Sequence, residues 1–233
     1  MTQRLSRASL ARVSLATLAM AGCAAAMVAS VWHLWPQAQA NALAMRPLAQ
    51  LRSWQAPRAK APDMAQWLQT RAALARALAK APRNGELQEA MAYLYLSAAL
   101  RADHAPALQA PYLIQALKHL SVATQARPMV ASAWASQALA RHRLVLLQPG
   151  LAETELPALW DSLDRALAYG RREHGVQQTA GGVALARWSQ LSPARRQAVV
   201  AMHAQATPKQ QRVLQSMASG SGVNLPSSGS AEP

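Results

Sequence analysis

The chain contains no phenylalanine, a single cysteine, and only ten acidic residues in 233. None of those acids lies in residues 1–60. The lone Cys23 excludes an intramolecular disulfide, a C-x-x-C redox pair and a cysteine-built zinc site. Aromatic residues make up 5% of the chain, so alanine and leucine carry most of the apolar content. That balance, with few β-branched residues, favours helix over sheet. The sequence has no Gly-rich phosphate loop, no H-E-x-x-H and no G-x-S-x-G. The six histidines (33, 104, 119, 142, 174 and 203) include no pair at i, i+3 or i+4. A metal site would therefore have to be assembled between helices, with His119 and His142 as the pair on consecutive helices. Structural histidines are the simpler reading, and no cofactor or metal is expected.

What the sequence does contain begins at its basic end. Residues 1–12 carry Arg4, Arg7 and Arg12. Residues 13–35 then run without an Asp, Glu, Lys or Arg. At about 1.5 Å per residue this stretch covers roughly 30 Å, the thickness of a bilayer's hydrocarbon core. Trp32 and Trp35 stand at its far end, where indoles favour the membrane–water interface. The leading expectation is a retained signal-anchor helix, with the basic leader in the cytoplasm and the rest outside it. Two other fates are open. Ala38-Gln39-Ala40 is an A-x-A pattern for cleavage after Ala40. Ala21-Gly22-Cys23 resembles the end of a lipoprotein box, although the apolar run continues well past Cys23.

The formal net charge is +14, half of it in residues 1–60. The body is thus only moderately basic, and a membrane segment would hold it away from nucleic acid, which is not an expected partner. Arg46, Arg52, Arg58 and Lys60 are candidates for anionic lipid headgroups or an acidic polymer. Residues 36–62, with Pro36, Pro47, Pro57 and many Gln and Ala, read as a linker, in part helical. Residues 219–233 are Gly/Ser-rich and read as a disordered tail.

Between them, 63–218 reads as eight helices in four consecutive pairs. Breaks fall at 81–85, at Arg127-Pro128, at Gln148-Pro149-Gly150 and at Gly170. Ser192-Pro193 and Thr207-Pro208 each place an N-cap before a proline at the first helical position. The clearest stripe is Leu156, Leu159, Trp160, Leu163 and Leu167, on one face of a 3.6-residue period, with Asp161 and Arg165 opposite. Gly181-Gly182 marks a close helix–helix contact or a local break. Helix pairs of about 30–45 residues bury little alone and must stack. The expected fold is therefore all-α, stacked antiparallel helical hairpins preceded by one transmembrane helix.

Ala133-Trp134-Ala135 with Ala138, and Asp164-Arg165-Ala166-Leu167, resemble the small-residue and Trp positions of tetratricopeptide repeats. The landmark order Tyr93-Leu94-Tyr95, Arg127-Pro128, Leu163 to Gly170, and Ala186-Arg187-Trp188-Ser189-Gln190-Leu191 resembles small membrane-anchored, tetratricopeptide-like proteins of bacterial exopolysaccharide biosynthesis clusters, over roughly residues 85–205. Where that family commonly has Pro-Trp-Glu, this chain has Arg171-Arg172-Glu173, so only the Glu matches. The resemblance implies a non-catalytic scaffold at the bacterial inner membrane, its C-terminal domain periplasmic, with envelope proteins and a polysaccharide as partners. A scaffold for cytochrome c maturation, secretion or pilus assembly is the alternative. An enzyme acting on envelope glycans is the alternative of another class, with Asp161 and Asp164 as its carboxylate pair. The candidate partner-binding residues are Trp134, Trp160, Trp188, Arg171 and Arg172. For the indoles, together with Trp67, Tyr93 and Tyr95, core packing is the simpler reading; for Arg171 and Arg172 it is solvated charge.

Overall fold

The computed structural model describes residues 7–56, 59–102 and 105–226. Among them there are nine α-helices and no strand. They are α1 (Arg7–Gln55), α2 (Met64–Lys80), α3 (Gly85–Arg101), α4 (Pro106–Ala126), α5 (Ala131–Leu147), α6 (Ala152–Tyr169), α7 (His174–Ala186), α8 (Pro193–Ala204) and α9 (Pro208–Gly220). Short 3₁₀ turns at Pro149–Leu151 and Trp188–Gln190 complete the set.

Four of the starts have a side-chain cap. Asp63 caps α2 in a capping box: its carboxylate accepts from Gln66 N at 2.7 Å, and Gln66 Oε1 accepts from Asp63 N at 3.2 Å. Asn84 caps α3 by accepting from the amides of Glu86 and Leu87. Ser192 and Thr207 cap α8 and α9 with proline next in line, as the sequence predicts. The stripe on α6 is placed as expected: Leu159, Leu163 and Leu167 are buried, and Arg165 meets Asp161 at 3.1 Å on the outer side.

The eight helices expected over 63–218 are α2 to α9, but their partners differ from the expectation. Over α1 to α6 each helix packs most extensively on its partner in the pairs α1–α2, α3–α4 and α5–α6, although α4 meets α5 as extensively as α1 meets α2, so the strongest pairing there is displaced by one helix. The odd-numbered helices also meet each other in succession: α1 with α3, α3 with α5, α5 with α7, and α7 with α9. Contacts between elements one and two places along the chain are consistent with an α-solenoid. The apolar interior follows suit, as three consecutive clusters. One lies between α1, α2 and α3, one between α3, α4 and α5, and one from α5 through α9.

Residues 36–55, read as a linker, are helical without a break from the preceding segment. The reason is burial. Ala40 and Ala44 are fully covered, and Leu51 nearly so, in the cluster with Trp67, Leu74, Ala77 and Leu87. Their spacing of four and seven makes one stripe, which α2 fills. Pro36 and Pro47 each remove one backbone donor without ending the helix. The proposed cleavage point, Ala40, is thus a packed residue in mid-helix.

The half of α1 before Pro36 differs. Met27, Val28, Val31, Trp32, Leu34 and Trp35 are each more than half exposed, and Cys23 is exposed too. Among the described residues no helix is long and apolar enough to cross a membrane. Within the expected span of 13–35, the side chains of 13–19 and of Gly22, Ala24, Ala25, Ala29 and His33 lie outside the described residues. At the other end, Val223 and Leu225 pack into the C-terminal cluster, so the tail read as disordered is ordered over its first seven residues. Residues 227–233 lie outside the described residues.

Candidate functional site

Four odd-numbered helices share one concave surface. It is a groove of about 440 Å³ lined by Leu48, Leu51, Arg52 and Gln55 of α1, Glu86, Glu89, Ala90 and Tyr93 of α3, Ser132, Ala135 and Ser136 of α5, and Gly175 and Thr179 of α7. The stacking produces it: each odd helix turns one stripe to its hairpin partner and leaves an adjacent stripe facing the groove. Leu51 and Ala135 form a buried apolar floor. The rim is charged and polar. Ser132 Oγ donates to Glu89 Oε1 at 2.5 Å, Arg127 lies 3.5 Å from Glu89 Oε2, and Arg52 lies 3.9 Å from Glu86. Burial raises the Tyr93 phenol above its ordinary value, against the opposing influence of Arg101 and a hydrogen bond with Gln55. An open trough with an apolar floor and paired charges at the rim suits an elongated ligand better than a small molecule that must be enclosed.

The candidate partner-binding residues are elsewhere. Trp134 is buried at the α5–α6 interface. Its Nε1 donates to Pro128 O at 2.7 Å, and the Arg165 guanidinium lies over its ring at 4.6 Å. Trp160 and Trp188 are half-buried and covered in the same way, by Arg195 at 5.2 Å and Arg196 at 5.8 Å. The three indoles therefore carry arginines on the outer layer and do not line the groove. Arg171 and Arg172 are exposed in the turn between α6 and α7.

Asp161 and Asp164 are each held by an arginine. Arg165 Nε donates to both Asp161 oxygens at 3.1 Å, and Arg195 donates to Asp164 through two bonds of 2.8 Å. The Asp164 carboxylate holds the Arg195 charge more firmly than usual. His119 and His142 do not meet. His119 stacks on Tyr95 and shares a 2.6 Å hydrogen bond with Gln88 Oε1, while His142 Nδ1 accepts from Arg187 Nε at 2.8 Å. No group of three or more metal-ligating side chains gathers among the described residues.

The groove was not legible from the sequence. Its residues fall on four separate helices, and each looks like an ordinary polar or apolar helix position. One signal was available: Glu86 and Glu89 are two of only ten acids, and both sit in the opening turns of one helix. No protein-family model, no curated protein and no solved structure matches the chain.

Proposed function

We propose that this chain is a membrane-anchored, non-catalytic scaffold of tetratricopeptide-like hairpins whose groove takes a polypeptide segment of a partner, in bacterial exopolysaccharide assembly or export at the inner membrane. The observation that carries the reading is the groove itself, which spans four successive odd-numbered helices. A ligand that touches α1 and α7 together lies across the stack, as an extended polypeptide does. The anchor is supported by the charge-free run 13–35 and by seven large apolar side chains, among the described residues, left facing outward before Pro36. Each would gain about 1.5–3 kcal/mol on leaving water. Non-catalysis is supported by the arginines that occupy Asp161 and Asp164 and by the pairing of Glu86 and Glu89. The pathway rests on the landmark order in the sequence alone.

The test is photo-crosslinking in intact membranes from a reactive residue at Ser136, inside the groove, with Gln125 on the outer layer as the control. A discrete adduct to a polysaccharide-machinery protein from Ser136 and none from Gln125 is the expected result. Equal labelling from both positions contradicts the groove as the site. Adducts only to secretion, pilus or cytochrome-maturation proteins contradict the pathway and leave the scaffold.

A further inference from the structure

The turns that lead from an even helix to the next odd one gather at one end of the molecule. A β-carbon on Gly85, at the α2–α3 turn, would sit 2.7 Å from Arg127 Cδ and 3.2 Å from Ala126 Cβ, at the α4–α5 turn. A β-carbon on Gly170, at the α6–α7 turn, would sit 2.5 Å from Ala131 Cβ, the first residue of α5. The three turns thus follow one another in contact, the first against the second and the second against the third. The apolar part of α1 emerges at the same end: Asn84 Nδ2, in the α2–α3 turn, lies 3.5 Å from Gln37 Oε1.

That end is basic. Lys80 and Arg83 flank the first turn, Arg127 stands in the second, and Arg171 and Arg172 in the third. Arg127 is held by Glu89. Lys80, Arg83, Arg171 and Arg172 are all exposed, and none forms an ion pair among the described residues. Glu173 is the one acid within these three turns. The turns at the opposite end, over the described parts of 56–63, 102–105, 148–151 and 187–192, carry Lys60, Asp63 and the buried Arg187. Exposed cations outside any ion pair among the described residues are thus more numerous at the end where the apolar helix leaves, Lys80, Arg83, Arg171 and Arg172 against Lys60 and Arg101 at the other, although the exposed Glu86 also stands beside the first turn. Of the residues that the sequence alone suggests for lipid contact, Arg52 is engaged beside this end, 3.9 Å from Glu86 in the first turn of α3, and Lys60 lies in a turn at the opposite end.

We infer that the α2–α3, α4–α5 and α6–α7 turns form a docking surface for anionic lipid headgroups, which seats the helical body against the bilayer from which α1 emerges. The inference rests on the anchor reading. Unpaired lysines and arginines within a Debye length of a negatively charged bilayer are drawn to it. Here the covalent helix holds them at that distance. A body seated this way has its odd helices starting at the membrane, and the groove, which crosses the opening turns of α3, α5 and α7, runs along the bilayer close to it.

The full chain, with Cys23→Ala, is reconstituted into bilayers of phosphatidylcholine alone or with phosphatidylglycerol. A donor fluorophore is placed at Met129→Cys in the basic end, or at Gly150→Cys in the opposite end, against a headgroup acceptor. The inference predicts stronger energy transfer from position 129 than from 150. It also predicts a rise at 129 on adding phosphatidylglycerol, and loss of that rise in high salt. The combined Lys80→Glu, Arg83→Glu, Arg171→Glu, Arg172→Glu variant should lose the rise as well, while the Lys/Arg-swapped variant keeps it. The salt and lipid dependence of the unreversed chain decides the matter even if the reversed one fails to fold. Alkaline carbonate extraction reads the anchor separately. A chain retained in the bilayer but indifferent to phosphatidylglycerol overturns the docking surface and leaves the anchor standing. A chain extracted by carbonate overturns both.

Discussion

Arg187 Nε donates to His142 Nδ1 across 2.8 Å, joining the C-terminus of α7 to the middle of α5 with both side chains buried. The second arm of the guanidinium reaches Gln190 at 2.9 Å, while Nη2 has no hydrogen-bond partner among the described residues. A buried cation with no carboxylate against it needs its neighbour neutral. Burial first, then the Arg187 and Arg143 charges, hold His142 down at about 4. Burial and Lys118 lower His119 as well.

The sign of the pH dependence follows. As pH falls below the ordinary histidine value of 6.5, the unfolded chain takes up these protons and the folded one does not. Stability present above pH 6.5 is therefore lost progressively towards about pH 4. Urea unfolding across that window should show midpoints falling with pH. His142→Gln keeps an acceptor for Arg187 and removes one titrating group, so its slope should be shallower; an unchanged slope contradicts the assignment.

Removing the nearby charge should release the histidine. In Arg187→Met, the His142 titration followed by NMR should move upward from its depressed position, with burial still holding it below the ordinary value. No movement would mean that burial alone sets it.

Gly170 is required for space and not for conformation. Its φ of −116° is open to any residue, but a β-carbon there meets Ala131 Cβ at 2.5 Å and Val176 Cγ2 at 2.8 Å. Neither is the far end of a flexible side chain. Gly170→Ala should cost about 1–3 kcal/mol by overpacking the α5–α7 contact. Gly175→Ala meets nothing within 4 Å in the first turn of α7 and should be neutral or stabilising by up to about 1 kcal/mol. Denaturant midpoints for the two variants distinguish crowding from a general intolerance of glycine replacement.

Trp134 is a packing residue with a partly buried hydrogen bond to Pro128 O and an arginine on its face. Trp134→Ala should cost about 3–5 kcal/mol. Trp134→Phe restores most of the volume and loses one partly exposed hydrogen bond, for about 1 kcal/mol. A Trp134→Ala protein of unchanged stability would reassign the indole to partner binding.

Much of the helical order could be read from residues whose effects are local. Ser192 and Thr207 cap helices through their own side chains, and the Leu159-Leu163-Leu167 stripe declares its buried face from spacing alone. Gly181 does make the close contact expected of it, against Leu214 and Met202. What could not be read is relational. An apolar stripe says that something covers it and not which helix does, so the displaced hairpin register stayed hidden. For the same reason 36–55 looked like a linker: Ala40, Ala44 and Leu51 make a thin stripe among Gln and Pro, and its meaning comes from α2. The groove is one step further removed, because it is the surface left over once four helices have chosen neighbours.

The part of α1 after Pro36 is at once the first wall of the groove and a packed part of the first apolar cluster. Hydrogen exchange of the full chain in lipid bilayers measures this directly. The account predicts that amides of 40–51 exchange as slowly as those of 67–78, because the two stretches share one core. Exchange of 40–51 at the rate of an unstructured chain, with 67–78 still protected, would contradict it.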